Sequence, residues 1–600
     1  MATPQSTSSA SPASGYISGL AGVNLKVDDL TTYVLWLSIT GLCGAIFLGR
    51  IAQICNAHLR HLMNLDASAT QQSYWSQDRT WWWPTIKKEV LYAPLNQKRH
   101  NREIQLSKAM NVGTVPSRIH TIILGLYFAS NIVYCCMLDY HVKDQAAILA
   151  DVRGRTGHLA IVNMVPLIIL AGRNNPLIPL LRVSFDTYNL FHRWFGRIVI
   201  LQSIAHTAAW AANVVAAEGA HGIREHIARS AFLQYGTLAT VAMTLLLVQT
   251  PSAVRHAFYE TFLHIHQLLA ILAIIGIWVH CKDGKLPQMN YLIWIVALWV
   301  AERCIRLIRI LYRNVSTSGC TQATVEALPG DACRVTFELR RPWQVTPGCH
   351  VYAYLPSVSL WMSHPFSIAW SDSRPTPYLT LEDEKLPTTQ HDLGNPLPTR
   401  TTTSISLIMS KRSGMTAKLY NKASASPTGI ITIAGAVEGP YGGLESLHSY
   451  GTVILFAGGV GITHQISHVR DLLAQYEEGK VATQKIVLVW SVRTTEQLEW
   501  IRPWMDEILA MPHRKQVVKI MMFITKPRDA REVRSRSETV LMYPGRANPK
   551  IIIAKEMITR VGATAVTVCG PGAFADDVRA AVRENVGKGT LDFIEESFTW

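Results

Sequence analysis

The sequence predicts a multi-domain membrane protein in which a bundle of transmembrane α-helices is followed by an antiparallel β-barrel and then an α/β domain. Hydrophobic residues make up 48% of the 600-residue chain and charged residues only 16%, which is too apolar for a soluble protein of this length. Long uncharged stretches fill the region from about residue 32 to 304. Short alternating strands and then strand–helix units follow this region, so the apolar and soluble parts are separate.

Composition also excludes some function classes. Membrane proteins collect Lys and Arg in their cytoplasmic loops, and this explains the net charge of +15 without a nucleic-acid partner. The ten cysteines are scattered without a CxxC pair, so neither a disulfide scaffold nor a zinc site is indicated. The Ser- and Ala-rich N-terminus lacks the basic start of a signal peptide, and residues 1–30 are expected to form a disordered tail.

Seven segments are apolar and long enough to cross a bilayer, although the third is short and contains Pro166. The loops after the first, third, fifth and seventh segments are the basic ones, and basic loops stay in the cytosol. We therefore expect an N-terminus outside the membrane and C-terminal domains in the cytosol. The segments are 32–49, 119–138, 158–172, 194–215, 232–250, 258–281 and 289–304.

Two of these segments each carry a pair of histidines fourteen residues apart: His192 and His206 in the fourth, His266 and His280 in the sixth. At about 100° per residue this spacing places both members of a pair on one helix face, roughly 21 Å apart along the axis. Both segments run from the cytosol outwards, so His192 is level with His266, and His206 with His280. A lone histidine in a span is more often a packing residue, but two equal spacings in parallel spans favour two bis-histidine haem sites.

The region after residue 320 shows the short alternating strands of a small antiparallel barrel. One strand contains His364-Pro365-Phe366-Ser367. Further on, Lys411-Arg412 precedes Gly414, Thr416 and an apparent helix. Cations and free amides at a helix start suit a pyrophosphate, and an ordinary exposed cap is the alternative.

Strand–helix alternation begins near residue 450 and predicts an α/β domain. Its first strand runs into Gly458-Gly459-Val460-Gly461-Ile462-Thr463, where small residues allow a pyrophosphate to approach a helix N-terminus, although the spacing is not GxGxxG. A later strand ends in Ser491 and Arg493. A guanidinium at that edge can hold the 2′-phosphate of NADPH, and an ordinary surface arginine is the alternative.

Taken in order, these motifs resemble those of the fungal ferric reductases, which are related to the NADPH oxidases. The resemblance runs from about residue 110 to Trp600 and rests on HRWFGR at His192, YETFLHIH ending at His266, and the fourteen-residue step in both helices. It implies a ferric-chelate reductase that passes electrons from cytosolic NADPH through FAD and two b-type haems to ferric or cupric ions outside. It also implies a role in iron uptake at the plasma membrane.

The resemblance assigns roles to individual residues. The run from His364 to Ser367 resembles the flavin-binding motif of the ferredoxin-NADP reductase superfamily, with the hydroxyl against the reactive flavin edge. Cys569-Gly570-Pro571 resembles the motif beside the nicotinamide, and Trp600 stands where a terminal aromatic stacks on the flavin. Ser367, Cys569 and Trp600 are therefore the residues expected at the hydride-transfer site. His464 replaces a proline common in the family, which puts the loop geometry there in question.

Two rival functions share parts of this pattern. A superoxide-generating NADPH oxidase would use the same cofactors, whereas a transporter or channel with a regulatory nucleotide domain would not need the four histidines. The basic run 526–538 is expected to be a flexible loop or to touch anionic lipid. The expected domains are the tail 1–30, the first span and cytosolic loop 31–118, the haem-binding transmembrane domain 119–313, the FAD-binding β-barrel 314–445 and the NADPH-binding α/β domain 446–600.

Overall fold

The computed structural model describes two compact units of the chain. The first is formed by residues within Met1–Ile51 and Asn101–Ile305, and the second by Ala52–His100 and Arg306–Phe598. The predicted segment 31–118 is thus divided, because most of its cytosolic loop belongs to the second unit. The described residues are 12–65, 67–102, 112–317, 319–360, 362–377, 399–529, 533–535 and 537–596.

The helices and strands follow the predicted order of an α-helical part, a β-rich part and an α/β part. The helices are α1 (Leu25–Met63), α2 (Trp82–Ile86), α3 (Arg118–Cys136), α4 (Gln145–Ala171), α5 (Leu177–Leu181), α6 (Phe185–Glu218), α7 (Ala220–Arg229), α8 (Ala231–Gln249), α9 (Ser252–Ala257), α10 (Tyr259–Asp283), α11 (Met289–Asn314), α12 (Met415–Ser424), α13 (Ile462–Glu477), α14 (Arg502–Ala510), α15 (Arg514–Val517), α16 (Pro549–Ile558) and α17 (Gly572–Asn585). The strands are β1 (His100–Arg102), β2 (Val112–Thr114), β3 (Val315–Ser316), β4 (Gly319–Cys320), β5 (Gln322–Leu328), β6 (Ala332–Leu339), β7 (Cys349–Tyr354), β8 (Ser363–Ser367), β9 (Trp370–Pro377), β10 (Thr399–Ser410), β11 (Ile430–Ala434), β12 (Ala436–Gly442), β13 (Thr452–Gly458), β14 (Lys485–Val492), β15 (Val518–Ile524), β16 (Val540–Pro544), β17 (Thr564–Cys569) and β18 (Leu591–Glu596).

Six helices among the described residues are long and apolar enough to cross a membrane: α1, α3, α4, α6, α8 and α10. The seventh predicted span is a helix, α11, but it is not among these six. Each 18-residue window of α11 includes Glu302, Arg303 and Arg306, and charged groups are costly in the hydrocarbon region. The count of seven spans is therefore reduced to six plus a helix with a charged second half.

Helices α1, α4 and α6 are clearly longer than the segments predicted for them, and polar residues cap and join helices of the bundle. Helix α4 begins at Gln145, thirteen residues before the predicted 158, since the Asp144 side chain accepts a hydrogen bond from Ala146 N at 3.0 Å. Inside the bundle, Asn163 donates to Asn131 Oδ1 at 2.7 Å and to Gln202 Oε1 at 3.1 Å. These bonds join α3, α4 and α6 where no water is present to satisfy amides.

The expected disordered tail is wrong for residues 12–30, whereas residues 1–11 lie outside the described part. The buried Arg153 of α4 holds this stretch, because its guanidinium donates to Tyr16 O at 2.8 Å and Gly19 O at 2.9 Å. It also donates to Ile17 O and Ala21 O. A buried guanidinium needs such acceptors, and backbone carbonyls of an otherwise featureless sequence supply them.

The β-rich part of the second unit is antiparallel, as predicted. One sheet has the strand order β11-β5-β6-β10-β9 and the other β12-β7-β8. Their facing side chains form one hydrophobic core that includes Val335, Phe337, Val351 and Leu407, all fully buried. Helix α12 packs against this core through Leu419.

The α/β part has one parallel sheet of six strands in the order β16-β15-β14-β13-β17-β18. Separate hydrophobic cores cover its two faces, as expected for parallel strands that are buried on both sides. The chain order reverses between β13 and β17, and such a switch point is where α/β sheets bind ligands.

The basic run 526–538 follows β15. Arg528 forms an ion pair with Glu496. Residues 530–532 and 536 lie outside the described residues, so the flexibility of this run stays a prediction.

Candidate functional site

The four membrane histidines form two pairs. The ring centres of His192 and His266 are 6.3 Å apart, and those of His206 and His280 are 6.2 Å apart. Helices α6 and α10 therefore run in the same direction, with each pair at its own level of the bundle. A metal–imidazole bond of about 2 Å, plus roughly 1 Å from nitrogen to ring centre on each side, gives ~6 Å between two rings on one metal. The observed spacing fits an iron between the rings.

Three of the four imidazoles are oriented by backbone carbonyls. The Nδ1 atoms lie 3.0 Å from Leu167 O for His192, 2.8 Å from Arg153 O for His206 and 2.8 Å from Phe232 O for His280. Carbonyls only accept hydrogen bonds, so each Nδ1 carries the proton and each Nε2 keeps its lone pair for a metal. The fourth ring, His266, has a buried Nδ1 without a hydrogen-bond partner among the described residues.

Glycines make room for the second pair, His206 and His280. A Cβ on Gly157 of α4 would lie 2.5 Å from His206 Nδ1, and a Cβ on Gly236 of α8 would lie 2.7 Å from His280 Nδ1. The Phe232 ring also stacks on His280, with ring centres 3.9 Å apart. The surroundings of these two rings thus fit them closely.

A cavity lies beside His206 and His280 and is largely apolar. It is lined by the two histidines, by Gly157 and Gly236, and by residues of the N-terminal stretch that Arg153 holds. Those N-terminal residues are Ile17, Gly19, Leu20 and Val23. The cavity, the Nε2 atoms that keep their lone pairs and the ring spacing together fit a haem.

The predicted flavin residues lie in the antiparallel part. Ser367 is buried at the end of β8, where it pairs with His350 of β7. Gly414 caps α12 with a positive φ of 70°, which favours glycine, and Arg412 N donates to Thr416 Oγ1 at 3.1 Å. Lys411 precedes this turn, so the start of α12 offers cations and amides to an anionic group.

The glycine-rich turn lies at the switch point of the parallel sheet. A Cβ on Gly461 would overlap the Cys569 carbonyl oxygen, and one on Gly458 would lie 2.6 Å from Pro571 Cδ. Glycines are required here because the ends of β13 and β17 approach each other closely. Gly459 has a φ of 57° and open space around its Cα, and it leads into the N-terminus of α13. This arrangement fits a pyrophosphate.

The end of β14 carries the predicted 2′-phosphate residues. Ser491 Oγ is buried without a hydrogen-bond partner among the described residues. Arg493 is exposed two residues later, while its backbone N–H donates to Gln497 Oε1 at 2.7 Å. A buried hydroxyl without a hydrogen-bond partner and an exposed guanidinium two residues later fit an anionic ligand.

A small polar cluster surrounds Cys569. Glu596 is its partner on β18, and the Glu596 carboxylate lies 3.8 Å from His350 Nδ1. Burial, assisted by the Glu596 charge, raises the pKa of the Cys569 thiol. The thiol therefore stays protonated at neutral pH, which suits a positioning role and not a nucleophile. Trp600 lies outside the described residues.

His464, which follows the glycine-rich turn, lies beside a second histidine. Its ring lies 5.2 Å from that of His468, and both pack against Gly348, whose φ of 80° and close neighbours require glycine. Burial lowers the pKa of His464 to about 4, so both rings are neutral at pH 7. An uncharged histidine pair thus lies against Gly348, directly before β7.

Comparison with protein-family models matches all three parts of the chain. Residues 156–277 match the ferric reductase like transmembrane component, residues 317–384 an FAD-binding domain, and residues 450–583 the ferric reductase NAD binding domain. The membrane part and the α/β part of the chain are thus similar to the corresponding parts of ferric reductases. The match to the transmembrane component covers parts of α4, α6, α8 and α10, and residues of all four helices line the cavity.

Known ferric reductases show the same relationship over most of the chain. "Ferric reductase transmembrane component 3" of Saccharomyces cerevisiae is 25% identical over 80% of this chain and 65% of that protein. "Ferric/cupric reductase transmembrane component 2" of the same yeast is 23% identical over 81% and 68%. The "Probable cell surface ferric reductase kap2" of Aspergillus oryzae is 27% identical over 58% and 44%. The chain thus spans about two thirds of the length of the two yeast relatives.

Several residues of the site could not be predicted from the sequence. The carbonyls of Leu167, Arg153 and Phe232 orient the histidines, but a backbone acceptor has no sequence signature. Gly157 and Gly236 read as ordinary helix glycines, because the sequence does not show which ring lies opposite them. The fourteen-residue step was the signal for the histidines alone.

Proposed function

We propose that this chain is an integral membrane ferric-chelate reductase that passes electrons from cytosolic NADPH to ferric or cupric ions on the other side of the membrane. The observation that carries the proposal is the two histidine pairs, whose ring centres are 6.3 Å apart in one pair and 6.2 Å apart in the other. The relatives named above are ferric or ferric/cupric reductases, and one is named a cell surface protein. A role in iron uptake at the plasma membrane follows as part of the proposal.

The histidines would hold two b-type haems. His192 and His266 would ligate one iron through Nε2, and His206 and His280 the other. When bound, FAD takes a hydride from NADPH as an electron pair and releases electrons singly, as haem iron requires. The carbonyls that accept from Nδ1 of three rings keep those rings neutral and fixed in orientation, so ligation costs little rearrangement.

Residues of the second unit would hold the two nucleotides. Ser367 and the run from His364 would contact the flavin ring, and Lys411, Gly414 and Thr416 its pyrophosphate. The Gly458–Thr463 turn would hold the NADPH pyrophosphate, and Ser491 and Arg493 its 2′-phosphate. Cys569, Gly570 and Pro571 would shape the nicotinamide pocket, and Trp600 would cover the flavin until the nicotinamide displaces it.

The direction of transfer follows from the proposed topology. The loops richest in Lys and Arg would stay in the cytosol. His192 and His266 would then form the inner pair, nearer the cytosol. His206 and His280 would form the outer pair, nearer the other side of the membrane. This orientation also requires α11 to cross the membrane as a seventh helix, with Glu302, Arg303 and Arg306 of its second half towards the cytosolic surface, where charged side chains reach water. Negative charge then leaves the cytosol in each cycle, so turnover would be electrogenic.

The experiment removes one outer ligand at a time. Cells that carry His206→Ala or His280→Ala should lose reduction of extracellular chelated Fe(III), while NADPH-driven reduction of a soluble dye by isolated membranes is partly retained. Part of the dye activity should be retained because the substitution leaves the flavin site and the inner pair, His192 and His266, unchanged. Unchanged ferric reduction by either variant would refute the proposed path.

Two controls separate this function from its rivals. Whole cells should reduce chelated Fe(III) or Cu(II) faster than dioxygen; dominant superoxide production would instead identify an NADPH oxidase. The purified protein should show the absorbance of reduced b-type haem after addition of a reductant. A transporter with a regulatory nucleotide domain would lack that absorbance.

A further inference from the structure

The last strand of the parallel sheet is covered along its outer edge by a distant part of the chain. An edge strand presents unpaired N–H and C=O groups on its free side. Here residues 67–100, which we call the edge segment, satisfy several of them. Phe593 N donates to Tyr92 Oη at 3.2 Å, Lys87 Nζ donates to Leu591 O at 3.1 Å, and Thr590 N donates to Ser76 O at 3.2 Å. The edge of β18 is thus closed by residues about 500 positions earlier.

An ion pair between buried Lys87 and half-buried Asp592 fixes this cover to the strand. Lys87 is 4% exposed, and its Nζ lies 2.7 Å from Asp592 Oδ1. Tyr450 Oη donates to the second oxygen of the same carboxylate at 2.9 Å. An ion pair with several bonds has one favourable geometry, so the edge segment has a defined register against β18.

The end of the edge segment reaches the loop beside the proposed nicotinamide pocket. Asp576 of α17 accepts hydrogen bonds from His100 N at 2.9 Å, from Arg99 N at 3.2 Å and from Arg579 Nη1 at 2.7 Å. His100 Nδ1 lies 3.2 Å from Asp576 Oδ1. The His100 ring also lies so close to Gly572 that a Cβ on Gly572 would overlap it. Gly572 directly follows Cys569-Gly570-Pro571, so His100 sets where that loop turns into α17.

The same segment also holds the end of β18. Arg99 Nη1 donates to Glu595 Oε2 at 3.0 Å, and Arg579 bonds to the same oxygen. Successive side chains of a strand point to opposite faces, so fixing Glu595 on one face fixes Glu596 on the other. Glu596 is the residue beside Cys569 and His350.

We propose that the edge segment positions the hydride-transfer site, with His100 setting the Cys569–Gly572 loop and Arg99 setting the end of β18. Both are positioning residues, because they act through Asp576, Gly572 and Glu595. The proposal rests on the proposed function, which assigns the hydride donor and acceptor. Displacements below 1 Å at a reacting centre change rates strongly, so residues that fix this loop should affect the chemical step more than binding.

A merely structural cover of an edge strand predicts something different. It would lower thermal stability and flavin content without slowing hydride transfer in the protein that remains folded. The rate constant of flavin reduction and the dissociation constant of NADPH therefore separate the two roles.

The test uses the full-length protein with its cofactors, mixed anaerobically with NADPH while the oxidised flavin absorbance is followed. His100→Ala should lower the limiting rate constant roughly tenfold and leave the NADPH dissociation constant within about twofold. His100→Asn should restore most of the rate, because its amide N–H takes the place of the ring Nδ1–H that faces Asp576. Lys98→Ala is the matched control, since this neighbouring side chain is exposed.

Flavin reduction at the wild-type rate in His100→Ala would overturn the proposal, and so would a slowed His100→Asn with full flavin content. If His100→Ala does not retain flavin, Arg99→Gln takes its place with an expected slowing of roughly threefold, and a wild-type rate in that variant overturns the proposal. Failure of the wild-type protein to reduce its flavin with NADPH would instead refute the proposed function.

Discussion

Replacing Gly157 by alanine should remove the outer haem and leave the inner one. The new Cβ would lie 2.5 Å from His206 Nδ1, whereas ordinary contact begins near 3.4 Å, so the ring must move by about 0.9 Å (3.4 − 2.5). Metal–ligand distances vary by only about 0.2 Å around their usual values. The move would also break the 2.8 Å bond from Nδ1 to Arg153 O, a loss of about 1–3 kcal/mol for a buried group.

The helix itself should tolerate the change, since alanine favours a helix over glycine by about 1 kcal/mol. The expected result is therefore specific. Haem content, measured as the pyridine haemochrome per chain, should fall from two to one, with normal flavin content and retained NADPH–dye activity. Gly236→Ala should behave alike, because its Cβ would lie 2.7 Å from His280 Nδ1 and require a shift of about 0.7 Å (3.4 − 2.7).

Two glycines in the same bundle are matched controls. A Cβ on Gly196, which lies on α6 between the two ligands of that helix, would meet Leu167 Cδ1 at an ordinary 3.7 Å. A Cβ on Gly125 of α3 would have nothing within 4 Å. Alanine at either position should keep both haems. Two haems and native spectra in Gly157→Ala would refute the assignment of His206 as a ligand held against α4.

Two further predictions concern the second unit. Arg493→Ala should raise the KM for NADPH roughly 10- to 100-fold in steady-state assays with little effect on NADH, because only the 2′-phosphate loses a charged bond; equal effects on both nucleotides would exclude this role. Burial depresses the pKa of His464 to about 4 from an unfolded value near 6.5, so the unfolded state takes up the proton first as the pH falls. The contribution of neutral His464 to the free energy of unfolding is present above pH ~6.5 and is about 2 kcal/mol smaller at pH 5. Thermal unfolding scans of His464→Gln should therefore show a smaller decrease in melting temperature between pH 7 and pH 5 than the wild type. The same decrease in both proteins would contradict this prediction.

The fold class and the four paired histidines could be predicted from the sequence because both depend on periodicity. Long apolar runs identify spans, and fourteen residues bring His192 and His206 to one face whatever surrounds them. The limits of the spans could not be predicted from apolar runs. Helix α4 begins where the Asp144 side chain caps it, and α11 carries charged residues in its second half that an apolar run does not reveal. Those details depend on local bonds that hydropathy does not record.

The long-range parts of the site were not predictable from one sequence. The residues that hold the N-terminal stretch and the edge of β18 are ordinary arginines and lysines in the sequence, and only the folded chain brings their acceptors to them. Arg153 shows this for the membrane part, and Lys87 for the sheet. A pattern within one element can be read from its period, whereas a contact across about 500 positions leaves no period to read.

The closed edge of β18 also has a consequence for how the molecule is made. Lys87 leaves the ribosome 505 residues before Asp592, so the edge segment must wait for the final strand of the sheet through nearly the whole of synthesis. Until then the nascent sheet ends in an unprotected strand, the kind of surface that invites aggregation. A soluble fragment that starts after the membrane helices would keep the edge of β18 uncovered. Residues 67–100, supplied as a fused or separate peptide, should cover this edge and allow soluble expression of the fragment.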